Sequence, residues 1–184
     1  MKTLVEETVV EALHTGGDEV ARLFVAACTE RMAPLFIGLR AGEPERGADV
    51  DFFVQSTGEL WFTDRSLSDA ADRAGQLDRF PELQPVEDGI TGIVDTYTFF
   101  AGLVLRYGLL ANGTGDVDHA LSCGHAALTA MGMLDQNVGG NAFRSDEQRL
   151  QSLSVSGDAA GLWDASVTAG RERFRAVLSR TSGQ

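Results

Sequence analysis

Two carboxylate–histidine pairs, Glu11-x-x-His14 and Asp116-x-x-His119, have the i, i+3 spacing at which a helix presents both side chains on one face. Four-helix di-iron proteins use this arrangement twice and add two bridging glutamates. Here His14 falls beside Gly16-Gly17, Asp116 sits at a helix start, and no two further glutamates stand on core faces, so the set is incomplete. Asp116, His119 and Cys123, at i, i+3 and i+7, could hold a single metal ion. An N-cap aspartate, a part-exposed histidine and a core cysteine explain the same residues without one. Cys123 and His125 are two apart and point to different faces, which removes them as a nucleophile and base within one helix. Asn112-Gly-Thr-Gly-Asp116 has the glycines of a phosphate-cradling loop, but neither the P-loop lysine nor a preceding strand. No G-x-S-x-G, H-E-x-x-H, paired C-x-x-C or Rossmann fingerprint occurs. The reading therefore expects no catalytic residue, cofactor or metal. A metal-binding or enzymatic bundle using Asp116, His119 and nearby carboxylates is the alternative.

Charge carries more information than these motifs. Residues 41–90 hold four arginines against twelve acids, a net of −8 out of the chain's −12, whereas residues 141–184 are nearly balanced with six arginines and five acids. A band of this sign opposes nucleic acid and anionic membranes and steers a basic protein partner toward it. The acids expected to meet that partner are Glu43, Glu45, Asp49, Asp51, Glu59, Asp64, Asp69, Asp72 and Asp78. The competing explanation is a solvated face that keeps the protein soluble.

These residues must be positioned by helices. The stretch from Gly89 to Leu110 carries only Asp95 and Arg106 as charges and is apolar around nearly the whole helical circumference, which predicts a buried central helix. Ile90, Val94, Tyr97, Ala101, Val104 and Leu105 form one stripe; Ile93, Phe99, Phe100, Leu103 and Leu110 form others, so more than one element must cover it. Its length would suit a membrane span, but Asp95, Arg106, three threonines and four glycines argue for a soluble core instead. Asp95 needs a partner, and Arg31 is one candidate.

Elsewhere, residues 3–14 predict a short helix with Leu4, Val5, Val9 and Leu13 inward, closed by Gly16-Gly17. Asp18 is a plausible cap for the next helix, whose stripe is Val20, Leu23, Phe24, Ala27, Cys28, Arg31 and Leu35 and whose last turns Pro34 should kink or break. Residues 48–62 allow either a helix with Phe52, Phe53 and Leu60 inward or a short strand pair. Ser66 or Ser68 should cap a helix over SLSDAADRAGQLDRF. Asn112-Gly113 should close the apolar helix, with Thr114 or Asp116 capping its successor. A short helix should begin at Ser145, and the last helix should turn Leu162, Trp163, Val167, Phe174 and Leu178 inward. Cys28 and Cys123, each among apolar helical neighbours, are expected to be reduced and buried.

The blocks FVAACTERMAPLF (Phe24 to Phe36), VDTYTFFAGL in the apolar helix and SDEQRLQSL (Ser145 to Leu153) resemble those of the YjaG-like family of small, acidic, all-helical bacterial proteins, a domain of unknown function. The resemblance implies a helical bundle in a cytoplasmic setting and transfers no catalytic residue. The expectation is an all-α, single-domain bundle (residues 1–184) of about six to eight helices around a buried central helix. Its expected role is protein–protein interaction in the cytoplasm, as an immunity or inhibitor protein for a basic toxin or nuclease.

Overall fold

The computed structural model describes residues 4–140 and 142–182, and among them every regular element is helical. The helices are α1 (Glu7–Thr15), α2 (Gly17–Arg40), α3 (Gly47–Glu59), α4 (Ala70–Leu77), α5 (Ile93–Thr114), α6 (Val117–Val138), α7 (Ala142–Ser154) and α8 (Ala159–Thr181). Single 3-10 turns at Pro44–Arg46 and Pro81–Leu83 lead into α3 and follow α4. The all-α bundle is thus as expected, and the 48–62 stretch forms helix as far as Glu59, followed by a turn, rather than a strand pair.

The centre of the bundle is α2. Every residue from Leu23 to Thr29 is buried, and the helix packs against α3, α5, α6, α7 and α8 as well as α1. Its expected stripe is inward except for half-buried Val20. The apolar helix α5 shares the core, lying against α2, α4 and α6 through Tyr97, Ala101, Val104, Leu105 and Leu109. By length and composition it could also cross a membrane. Its other apolar residues are placed differently from the reading: Ile90 precedes the helix and is exposed, and Phe99, Phe100, Leu103 and Leu110 are only half-buried. The neighbouring helices cover about half of the α5 circumference, because α2, rather than α5, takes the position with neighbours on all sides.

Several local expectations are corrected. Pro34 does not end α2, which continues to Arg40. Proline has no N–H to give the carbonyl four residues back, and here Gly170 of α8 lies against that gap. A Cβ at Gly170 would stand 2.9 Å from Pro34 Cγ and 3.1 Å from the Glu30 carbonyl oxygen. The two helices therefore approach closely at this point. α5 runs past Asn112-Gly113 and is closed by Gly115 in the left-handed conformation (φ 70°). Asn112 turns inward instead, its Oδ1 accepting the Leu67 N–H at 2.7 Å. Asp18 lies in the first turn of α2 and does not cap it. Neither serine caps α4, where Asp69 occupies the N-cap position without a side-chain bond. Asp116 does cap α6 by accepting the Asp118 N–H. α7 starts before Ser145, and Asp135 of α6 accepts the Phe143 and Arg144 N–H groups, satisfying two of the free donors of its first turn.

Candidate functional site

Three features compete as the functional site: the acidic band, the histidine motifs, and a cleft lined by both tryptophans. The band is placed by α3 and α4. Phe53 of α3 stacks on Phe36 of α2 with ring centroids 4.4 Å apart, and Phe80 packs on the same ring, so the opposite face of α3 is turned to solvent. Much of the band's charge is neutralised internally. Arg46 bridges Asp49 and the almost fully buried Glu82, and Arg40 bridges Glu43, Glu82 and Asp95. Arg73 holds Glu59 and Asp69, and Arg106 holds Asp78. Burial would raise the Glu82 carboxyl, but the hydrogen bonds and charges of Arg46 and Arg40 outweigh it and hold that carboxyl below its usual range. Of the nine acids expected to face a partner, Glu45, Asp51, Asp64 and Asp72 are exposed and form no ion pair among the described residues. Glu43, Asp49, Glu59, Asp69 and Asp78 are already matched to arginines.

The histidine motifs do not converge. The Asp116 carboxylate is occupied as a cap, the His119 ring stacks on Tyr107 at 6.4 Å, and Cys123 is buried with its thiol donating to the Val104 carbonyl oxygen at 3.4 Å. Burial pushes the Cys123 thiol well up from its ordinary value. Glu11 and His14 are exposed on α1. Among the described residues no three His, Cys, Asp or Glu side chains gather where they could hold a metal ion.

The expected Asp95–Arg31 contact is also absent. Asp95 is largely exposed and pairs with Arg40, while Arg31 is fully buried beside Glu147 of α7. Arg31 Nε and Nη2 each donate to a Glu147 oxygen at 2.8 Å, Arg173 Nη2 of α8 donates at 2.7 Å, and Gln151 Nε2 donates at 2.8 Å. Burial alone would raise the Glu147 carboxyl, but the two guanidiniums hold it down at about 2. This cluster ties α2, α7 and α8 together and has no access to solvent, so it is a structural fastener.

The third feature is a cleft of about 440 Å³ between α2, α3 and α8. Its walls include Glu30, Ile37, Val54, Thr57, Trp61 and Trp163. Pro34, against which Gly170 of α8 packs closely, is also part of the wall, and Trp163 lies two turns back along α8 on the same face as Gly170. The expectation that Trp163 and Leu178 point inward is corrected: Trp163 is 48% exposed and Leu178 is exposed, while Ser166, Gly170 and Arg173 take the inward positions. Val54 and Phe62 are likewise about half exposed, at 52% and 51%. Trp61 donates its indole N–H to Glu30 Oε2 at 2.9 Å. Partial burial raises the Glu30 carboxyl above its ordinary value, and the Trp61 hydrogen bond opposes that shift. Nothing in the order of residues announced this site, because its lining comes from three helices; the only signal was the chain's two tryptophans, Trp61 and Trp163.

Comparison of the chain with protein-family models, with curated proteins and with solved structures finds no match. The resemblance to YjaG-like proteins gains no support from these comparisons.

Proposed function

We propose that this protein acts by binding a basic protein partner through the surface where the tryptophan cleft adjoins the acidic face of α3. The observation that carries this reading is the half-exposed pair Val54 and Trp163 on the cleft wall beside unpaired acids, with half-exposed Phe62, whose ring lies under the Arg65 guanidinium, next in sequence to the cleft-lining Trp61. Asp51 lies one turn before Val54 on α3, and Asp64 lies two residues after Phe62. An aromatic centre with a charged rim is the anatomy of a protein interface: the centre supplies most of the affinity, and the rim supplies steering and orientation. Of the four arginines of residues 41–90, Arg46 and Arg73 are spent on internal pairs, so the outward field is set by Glu45, Asp51, Asp64, Asp72, Glu87 and Asp88 against the exposed Arg65 and Arg79 and remains acidic. An immunity or inhibitor protein for a basic toxin or nuclease is the functional class this surface would serve, acting in the cytoplasm.

The test uses a partner captured with the intact protein and then purified. Replacing Glu45, Asp51, Asp64 and Asp72 together by Gln or Asn should slow association and flatten its salt dependence, and Trp163→Ala should speed dissociation. A captured partner whose rates are unchanged by both sets of replacements overturns the reading.

A further inference from the structure

Glu30 is a carboxylate without a cation. It is half-buried at the wall of the α2–α3–α8 cleft, accepts one hydrogen bond on Oε2 from Trp61, and forms no ion pair among the described residues. This sets it apart from the other half-buried or buried carboxylates among the described residues: Glu82 and Glu147 each have two arginines, Glu43, Asp49, Glu59, Asp69 and Asp146 each have one, and Asp135 caps α7. A partly desolvated charge with no opposite partner is unfavourable, and a bound cation would relieve it.

A second, independent observation points into the same space. Thr57, only 4% exposed and part of the cleft wall, has a buried hydroxyl oxygen with no hydrogen-bond partner. Buried hydroxyls are nearly always satisfied; this one is itself out of solvent, and a turn of the Thr57 side chain about χ1 toward the cleft would bring it to a ligand that carries an N–H donor. The remaining wall is apolar and carries two indole rings, Trp61 and Trp163.

Resting on the interface proposed above, we infer that this cleft receives the guanidinium of an arginine side chain of the basic partner. An arginine brings several N–H donors in one plane, enough to serve both the free Glu30 oxygen and the Thr57 hydroxyl, and its flat, weakly hydrated face suits aromatic walls. An ammonium group is more strongly hydrated and loses more on entering such a site. A quaternary ammonium satisfies the aromatic walls but donates nothing to Glu30 or Thr57. A space of about 440 Å³ accommodates a side chain of this size.

The chain contains two tryptophans and both line the cleft, so its intrinsic indole emission reports on this site alone. The whole protein is titrated with N-acetyl-arginine amide, and in parallel with N-acetyl-lysine amide and tetramethylammonium chloride at matched ionic strength. The inference expects a saturable emission change with the arginine compound and weaker binding of the other two. Glu30→Gln should weaken the arginine binding about tenfold and Thr57→Val about threefold, with unchanged circular dichroism. No saturable change with the arginine compound, equal binding of all three cations, or a Glu30→Gln titration that overlays the wild type would each overturn the assignment. The outcome also separates the two proposals. If partner binding is lost on Trp163→Ala while the arginine compound leaves the emission unchanged, the interface stands and the arginine assignment falls. Saturable, Glu30-dependent arginine binding in a protein whose partner ignores the cleft would leave a guanidinium site but overturn both the interface and the assignment of that site to the partner's arginine.

Discussion

Glu147 on α7 and Arg31 on α2 meet through two hydrogen bonds of 2.8 Å with both side chains fully out of solvent. The residues are 116 positions apart, and Arg173 from α8 closes the group. Two guanidiniums share one carboxylate, and Arg173 Nε is left without a partner among the described residues. Such a group is held together by its completeness: the mutual attraction offsets the desolvation only while every member is present.

Glu147→Gln should therefore be strongly destabilising, by about 3–5 kcal/mol, since it leaves two buried cations uncompensated. Replacing the trio together by Arg31→Met, Glu147→Leu and Arg173→Met should be much milder than the single change, because apolar side chains of similar size need no partner. Urea unfolding followed by circular dichroism measures both. A single variant as stable as the wild type would mean that the cluster does not fasten the helices.

The same carboxylate sets an acid limit on the fold. Its folded-state value of about 2 lies below the ordinary carboxylate range because Arg31 and Arg173 overcome the effect of burial. A lowered value in the folded state means that the stabilisation is fully present above the unfolded value near 4.5 and is lost as the pH falls toward 2. Unfolding free energy should thus decline by a few kcal/mol across that window. Glu147→Gln should flatten the decline, which urea titrations at stepped pH would detect.

On α5 the two sides of the helix should respond differently to truncation. Leu105→Ala, at a fully buried position, should cost about 2–5 kcal/mol. Phe99→Ala should cost less, under about 2 kcal/mol, because Phe99 is half-buried and solvent can fill the space it leaves. Thermal unfolding of the two variants checks the order, and an equal loss at both positions would place Phe99 in the core.

The sequence by itself determined the helices. Apolar spacing of 3.6 residues is a local property, so α2, α5, α6 and α8 were legible, as were the inward positions of Phe24, Cys28 and Arg31. Of the caps, Asp116 is one of the two residues expected to start α6, whereas those at Asp18, Ser66 or Ser68 and Asn112-Gly113 are displaced by their neighbours. It also made clear that Asp95, in an otherwise apolar stretch, would need a partner. What it could not choose was which arginine, because opposite charges on different helices carry no spacing signal. The suggested Arg31 proved to be taken by Glu147, because packing put α7 against α2 and left Asp95 at the surface beside Arg40. The same limit hid the cleft. Glu30, Thr57 and Trp163 belong to three helices, and they meet because α2 packs against both α3 and α8, with a close contact of Gly170 on Pro34 that no periodicity encodes. Tertiary structure likewise divided the acidic band, pairing Glu59 and Asp69 with Arg73 while leaving Asp51 and Asp64 in solvent. Net charge is a sum over the chain, whereas the field a partner meets depends on which charges the fold has already matched.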